Sequence, residues 1–202
     1  WAAHDIDLGA YDGATVVVRF IGINGYGQRL YLDNVKVAGT GVAMAAKAFL
    51  SGPYNAATHL MNDQLRANGL VPATEPYTAL GYTLPGGGGE TAAPALLAAS
   101  GNDAPVDWVV VELRNAANPA QVVAARCALL QRDGDLMGAD GSPQVRLNAP
   151  AGSYIVAVRH RNHLACMTAA GVALGGTLPL VDLGAAATAT YGTDARRPVD
   201  GK

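Results

Sequence analysis

Short segments of alternating, β-branched composition dominate the chain, and turns separate them at intervals of about ten residues, a spacing typical of β-sandwiches. The turns are rich in Gly, Pro, Asn and Asp, which favour the backbone angles that turns require. This pattern predicts an all-β fold, an Ig-like or jelly-roll-type β-sandwich. The predicted strands span residues 15–23, 30–37, 42–50, 106–114, 120–130, 143–148, 152–161, 165–169 and 177–183.

Three segments lack strand character. Residues 55–69 place apolar side chains at near-helical spacing and end at Gly69, which predicts one short helix. Residues 134–142 form a predicted hairpin loop. The tetraglycine 86–89 is not followed by the Gly-Lys-Ser/Thr of a phosphate-binding loop, so it indicates a flexible or closely apposed backbone.

The predicted strands divide into two parts on either side of the small-residue stretch "AGTG" at 38–41. Residues 1–38 contain one β-hairpin, with an Asn-Gly pair in its turn. Residues 42–183 contain enough strands for a complete sandwich. Residues 184–202 are poor in large apolar side chains, so we expect a strand-like arm that becomes disordered towards its end.

The composition narrows the class of protein. Charged residues make up 15% of the chain and the formal net charge is −2, which excludes the strongly basic surface of a nucleic-acid binder. A surface of small, uncharged residues is common in extracellular modules that pack against copies of themselves. No apolar run reaches the roughly 18 residues of a membrane span, so none is predicted.

Two groups of residues carry a resemblance to known modules. Residues 5–37 resemble the closing strands of the jelly-roll modules of the MAM and cleaved-adhesin type. Residues 47–66, 107–115, 128–135 and 154–164 resemble a module that recurs in secreted bacterial surface proteins. The resemblance implies an extracellular or cell-surface location and a modular architecture, and it assigns no catalytic residue.

The N-terminal hairpin is the predicted interaction element. An isolated hairpin is marginally stable in water, and both faces of residues 15–23 are largely apolar, so further strands must cover it. Either it joins the sandwich of its own chain, or it completes the sheet of another molecule by strand addition. The arm 184–202 is a second candidate. The predicted interaction residues are Val16, Val18, Phe20, Ile21, Leu30, Tyr31, Leu32, Val35 and Val37.

The sequence therefore predicts a non-catalytic structural subunit of a surface fibre, pilus-like filament or matrix. Its partners would be copies of itself or neighbouring surface modules, and no cofactor is predicted. The alternative is a monomeric carbohydrate-binding adhesin, a hypothesis that rests on fold analogy. For either function, Tyr54, Tyr77 and Tyr82 are the candidate glycan or subunit contacts, while Trp108 is expected in the core.

The residues that could act as catalysts or metal ligands lack the spacing of known catalytic or metal sites. No serine lies in a GxSxG elbow, which argues against an enzyme of that class. The run "RHRNHL" at 159–164 contains His160 and His163, which would point apart on one strand unless that strand ends at Asn162. Zinc spacings such as HExxH do not occur.

Asp133, Asp135 and Asp140 are weak calcium candidates, because calcium favours clustered carboxylates on loops. The alternative is an ordinary Asp-Gly turn. Cys127 and Cys166 have no CxxC partner, and each lies in a predicted strand. They are either a cross-strand disulfide of an exported protein or two buried free thiols.

Overall fold

The computed structural model describes residues 17–21 and 41–196 of the chain. The chain divides into two compact units, Trp1–Thr40 and Gly41–Lys202. Among the described residues, the helices and strands all belong to the second unit, and residues 17–21 have no regular secondary structure.

The second unit is an all-β structure with two short helices. A single 3-10 turn, Gly101–Asp103, precedes its longest antiparallel pair of strands. The elements are β1 (Val42–Lys47), β2 (Tyr54–Asn55), β3 (Leu60–Met61), α1 (Gln64–Ala67), α2 (Pro94–Leu97), β4 (Pro105–Asn115), β5 (Asn118–Gln131), β6 (Leu136–Gly138), β7 (Val145–Leu147), β8 (Gly152–His160), β9 (His163–Met167), β10 (Val172–Leu174) and β11 (Leu180–Asp182).

These strands form a large and a small sheet. The large sheet has six strands in the order β10-β8-β4-β5-β6, and β9 also pairs with β8. Its β8 pairs with β9 near one end and with β10 near the other, on the side away from β4. The small sheet has the order β11-β1-β7, in which β11 is parallel to β1. Strands β2 and β3 form a separate two-stranded ribbon.

One face of the large sheet packs against the small sheet. Alternate residues of β4, Val109, Val111 and Leu113, point into this core, as the two-residue period of a strand requires. They meet Met44 of β1 and Leu147 of β7 in the same cluster. The second unit is therefore a β-sandwich with an aliphatic interior, as the sequence predicts.

The other face of the large sheet is covered by the long segment between α1 and β4. Trp108 of β4 and Leu129 of β5 are buried there beside Val71 and Tyr77. The Trp108 indole N–H donates to the carbonyl of Pro72 at 2.8 Å, and the Tyr77 hydroxyl donates to the carbonyl of Trp108 at 2.7 Å. Because β4 is covered on both faces, its sequence is a nearly continuous apolar run. Trp108 is the core anchor that the sequence predicts.

Several short elements differ from the sequence prediction. The predicted helix at 55–69 is confined to Gln64–Ala67, and Leu60–Met61 form strand β3 instead. The predicted loop 134–142 contains β6, which pairs with Ala128–Leu130 of β5. These elements have two to four residues, so their conformation depends on pairing and packing more than on local propensity.

The described part of the C-terminal arm lies along β9. The Ala169 amide donates to the carbonyl of Ala189, and the Tyr191 amide donates to the carbonyl of Met167, each at 2.9 Å. The Arg196 guanidinium donates to carbonyls in the segment 183–186. To act as an added strand, this part of the arm would have to leave these contacts.

Candidate functional site

The predicted interaction hairpin lies mostly outside the described residues. Of its predicted contact residues, Val18, Phe20 and Ile21 are described, and their side chains are 47%, 52% and 71% exposed. Val17 is 89% exposed. The pairing of this hairpin therefore stays a prediction. The predicted contact residues outside the described ranges are Val16, Leu30, Tyr31, Leu32, Val35 and Val37.

The sandwich has short or guarded sheet edges in the part of the chain that is described. On its outer side β5 pairs with β6 only over Ala128–Leu130. Beyond that pairing, the Ala125 amide donates to the carbonyl of Pro85 at 2.8 Å, and Pro119 lies in a stretch with register shifts. Prolines, bulges and covering loops are devices that prevent edge-to-edge pairing. The described sandwich therefore offers little edge for strand addition.

The three candidate tyrosines have different environments. Tyr77 is fully buried under the loop cover, so the prediction that it contacts a glycan or a subunit is wrong. Its ring packs edge-on against Tyr82 with 5.0 Å between the ring centroids, and the Arg159 guanidinium lies 5.1 Å from the Tyr82 ring centroid. Tyr54 packs edge-on against Phe49 at 5.2 Å. Tyr54 and Tyr82 are half-buried, and each has a packing role.

The candidate calcium ligands do not converge. Asp135 forms an ion pair of 2.7 Å with Lys47. Asp133 Oδ1 accepts the Asp135 amide at 3.2 Å, and Asp140 Oδ1 accepts the amide two residues later at 3.0 Å. These are the local contacts of Asp turns. The calcium prediction for these residues is therefore corrected to the turn alternative.

The two cysteines are free thiols. Cys127 is buried on the loop-covered face of the large sheet, whereas Cys166 packs against the aliphatic core on the opposite face. A disulfide requires Cβ atoms within about 4.5 Å, which side chains on opposite faces do not reach. The disulfide alternative is therefore wrong.

The run "RHRNHL" builds a polar cluster at the β8–β9 turn. Strand β8 ends at His160 and β9 begins at His163, so the two imidazoles meet across the turn with their Nδ1 atoms 2.9 Å apart. His160 Nε2 lies 3.1 Å from a carboxylate oxygen of Asp107, which is buried. Arg161 donates two hydrogen bonds, of 2.9 and 2.6 Å, to the same carboxylate.

This geometry favours one tautomer of His160 and shifts the pKa of two neighbouring groups. An imidazole that donates from Nε2 to Asp107 can accept at Nδ1, where His160 meets both the Asn162 amide and His163. Burial raises the pKa of Asp107, but hydrogen bonds from His160 and Arg161 outweigh it, so the pKa lies below its ordinary value. Burial and the nearby His160 lower the pKa of His163. The Asp107 carboxylate is thus hydrogen-bonded to both His160 and Arg161, and the cluster holds the β8–β9 turn in place.

A second polar cluster lies under the tetraglycine loop, where the sequence analysis places no site. Glu75 is buried, and its carboxylate accepts the amides of Tyr77, Thr78 and Gly89 at 2.6, 3.1 and 2.8 Å. The Thr78 hydroxyl donates to it as well. Burial raises the pKa of Glu75, but these hydrogen bonds outweigh it and lower the pKa below its ordinary value. Glu75 thus organises the loop around it.

Glu90 and Cys127 complete this cluster. One ligand atom from each of Glu75, Glu90 and Cys127 lies within 4.8 Å of the other two. The Cys127 thiol donates to Glu75 Oε2 at 3.5 Å. Glu90 accepts the Gly88 amide at 3.0 Å, and Arg126 Nε lies 3.6 Å from the same carboxylate. Burial and the two neighbouring carboxylates raise the pKa of Cys127 well above its ordinary value.

The residues of the glycine loop, 86–89, must be glycines because their backbone passes close to β5. A Cβ on Gly87 would lie 2.3 Å from the Ala125 carbonyl oxygen. Gly86, Gly88 and Gly89 have φ angles of 73°, 101° and 74°, which L side chains rarely adopt. The closely apposed backbone that the sequence indicates is therefore confirmed.

The fold and these contacts define the described sandwich as an all-β structure with an irregular loop cover on one face. No helix in the described ranges is long and apolar enough to cross a membrane. No family model, curated protein or solved structure matches the chain.

Proposed function

We propose that this chain is a non-catalytic structural subunit of an extracellular or cell-surface fibre or matrix, assembled by β-strand addition through its N-terminal unit. The observation that carries the proposal is the exposed apolar run Val17–Ile21. Four of its five side chains are apolar, and all four are exposed. Contiguous exposed apolar side chains mark interaction surfaces.

The guarded edges of the sandwich support an assembly role for the N-terminal unit rather than for the sandwich. A fibre subunit needs at least one surface that joins and others that do not, because unguarded edges would pair without specificity. The described sandwich supplies the second kind of surface. Its partner through the N-terminal unit is another copy of the chain or a neighbouring surface module.

The low charge of the chain supports the same proposal. With 15% charged residues, repulsion between neighbouring subunits is weak, so packed copies lose little electrostatic energy. Backbone hydrogen bonds would supply the affinity of an added strand, and alternate side chains would supply its specificity.

Light scattering and negative-stain electron microscopy of the full chain test the proposal. We expect filaments or large particles from the unmodified protein, and their loss in Ile21→Pro, because proline removes the backbone N–H that a paired strand donates. Phe20→Asp, which adds a charge to the exposed apolar run, should also abolish assembly. Its matched control is Leu80→Asp, which adds the same charge at a position on the sandwich that is 57% exposed.

Assembly that survives in Leu80→Asp and is lost in Ile21→Pro and Phe20→Asp supports strand addition. A monodisperse monomer at all concentrations of the unmodified protein would overturn it, and binding to a glycan array would then favour the adhesin alternative. Assembly lost in Phe20→Asp and retained in Ile21→Pro would indicate a side-chain contact without an added strand.

A further inference from the structure

The cluster of Glu75, Glu90 and Cys127 has an excess of buried negative charge. Arg126 is the cation that pairs with Glu90, and its side chain is 41% exposed. Among the described residues, no cation forms an ion pair with Glu75. Buried charges in proteins are paired with an opposite charge or coordinate a metal ion.

Glu90 has unused acceptor capacity inside the cluster. Its side chain is only 6% exposed, yet its two oxygens share a single amide donor, Gly88, at 3.0 and 3.2 Å. A carboxylate offers about four lone-pair sites. This buried carboxylate therefore has fewer amide donors than acceptor sites, and Glu75 and Cys127 are its neighbours in the cluster.

One distance in the cluster matches the coordination geometry of a small tetrahedral ion. The Cys127 sulfur lies 3.5 Å from Glu75 Oε2. Zinc binds sulfur at about 2.3 Å and carboxylate oxygen at about 2.0 Å, so the sulfur–oxygen edge of its coordination tetrahedron is about 3.5 Å. One sulfur and two oxygens from three separate segments would leave one position for water.

The surrounding backbone already orients the two carboxylates. Amides of Tyr77, Thr78 and Gly89 hold Glu75, and the amide of Gly88 holds Glu90. Hydrogen bonds of this kind fix metal-binding carboxylates in known sites. The glycine loop carries no side chains and its residues 87–89 are exposed, so only a thin layer of backbone separates the cluster from solvent.

We propose that Glu75, Glu90 and Cys127 bind a divalent transition-metal ion of the zinc class. The thiol selects this class over calcium and magnesium, which prefer oxygen alone. On binding, the thiol proton passes to solvent and a metal–sulfur bond replaces the sulfur–hydrogen bond. The ion would fasten the loop cover to β5, a role independent of how the chain assembles.

Cobalt(II), used as a spectroscopic substitute for zinc, tests the site in the full, reduced chain after treatment with a chelator. We expect one equivalent of cobalt to produce a near-ultraviolet thiolate-to-metal absorption band, which zinc then abolishes. Cys166→Ser should keep the band, because Cys166 lies on the opposite face, and Cys127→Ser should lose it. Glu90→Gln should weaken the affinity for cobalt by about tenfold or more.

No band from the unmodified protein at millimolar cobalt would overturn the proposal, as would a band that depends on Cys166. Circular dichroism checks that each variant folds. Should Cys127→Ser fail to fold, the decision rests on the zinc-dependent rise in melting temperature of the unmodified protein. A rise that disappears in Glu90→Gln supports the site, and an equal rise in Glu90→Gln contradicts it.

Discussion

The two faces of the large sheet are closed in different ways. One face packs against a second sheet, whose strands satisfy their own backbone hydrogen bonds, and its interior is aliphatic. The other is closed by a long irregular segment whose amides need partners from elsewhere, and buried polar groups provide them. A sheet can cover a core with apolar side chains alone, whereas a loop also needs acceptors for its backbone.

This contrast explains the polar groups that are buried under the loop cover. Glu75 accepts the amides of the loop cover, and Trp108 and Tyr77 donate to backbone carbonyls under that cover. On the aliphatic face, side chains such as Leu113 contribute through buried area instead. The two faces should therefore respond differently to substitution.

The largest effect is expected on the aliphatic face. Leu113→Ala should lower the free energy of unfolding by about 2–5 kcal/mol, because the cavity forms between two sheets that cannot collapse onto it. Urea denaturation measures this change. Leu80→Ala, at an exposed position, is the control and should change stability by less than about 0.5 kcal/mol. A small effect of Leu113→Ala would mean that the sandwich interior is loosely packed.

The next effect is expected on the loop-covered face. Glu75→Ala leaves the buried amide of Tyr77 and the part-buried amides of Thr78 and Gly89 without this acceptor, at a cost of about 1–3 kcal/mol for each one that water cannot reach. Hydrogen exchange should therefore speed up in residues 70–92 more than in β4 and β8. Glu75→Gln keeps one carbonyl oxygen and should have a smaller effect. Uniform acceleration throughout the sandwich would show that the cover and the sheet unfold together.

A smaller effect is expected where the glycine loop touches β5. Gly87→Ala places a methyl group against the Ala125 carbonyl and should cost about 1–3 kcal/mol by displacing the loop. Gly69→Ala is the control, because its Cβ meets nothing within 4 Å and only the positive φ is strained. Exchange of the Ala125 amide, which is bonded to Pro85, should rise in the first variant only.

The smallest effect concerns pH at the β8–β9 turn. The pKa of His163 lies below its ordinary 6.5, so the unfolded chain binds a proton first and stability falls as the pH drops below that value. The pKa of Asp107 lies below its ordinary 3.8, so its contribution is present above that value and is lost as the pH falls through the lower, folded-state pKa.

Melting temperatures measured across this pH range test both groups. His163→Gln should remove the loss that begins near pH 6.5. Asp107→Asn should reduce the loss at lower pH, to which Glu75 also contributes because its pKa is lowered as well. Leu113 is a buried aliphatic side chain that does not itself titrate, so Leu113→Ala should shift the curve without changing its shape. A change in the shape of this curve in Leu113→Ala would show that the turn and the core are energetically coupled.

The sequence predicts the long strands correctly because burial leaves a local pattern in them. The two halves of the β4–β5 pair are apolar runs separated by a short Asn-containing turn, and Trp108 stands in one of them. The tetraglycine could also be interpreted from its own sequence, because four glycines in succession indicate an unusual backbone conformation or a close backbone approach. Short strands that the sequence does not predict, such as β6, have no such pattern, and β6 forms because the longer β5 pairs with it.

What the sequence by itself determined is the all-β class, the main strands and the low charge, because alternation and composition are properties of neighbours in the chain. The tertiary structure decided which distant residues meet. Asp107 reaches His160 and Arg161, and Glu75 reaches Cys127, across separations that no local pattern records. Contacts between distant segments depend on sheet order and strand register, and those are set by the packing of the whole domain.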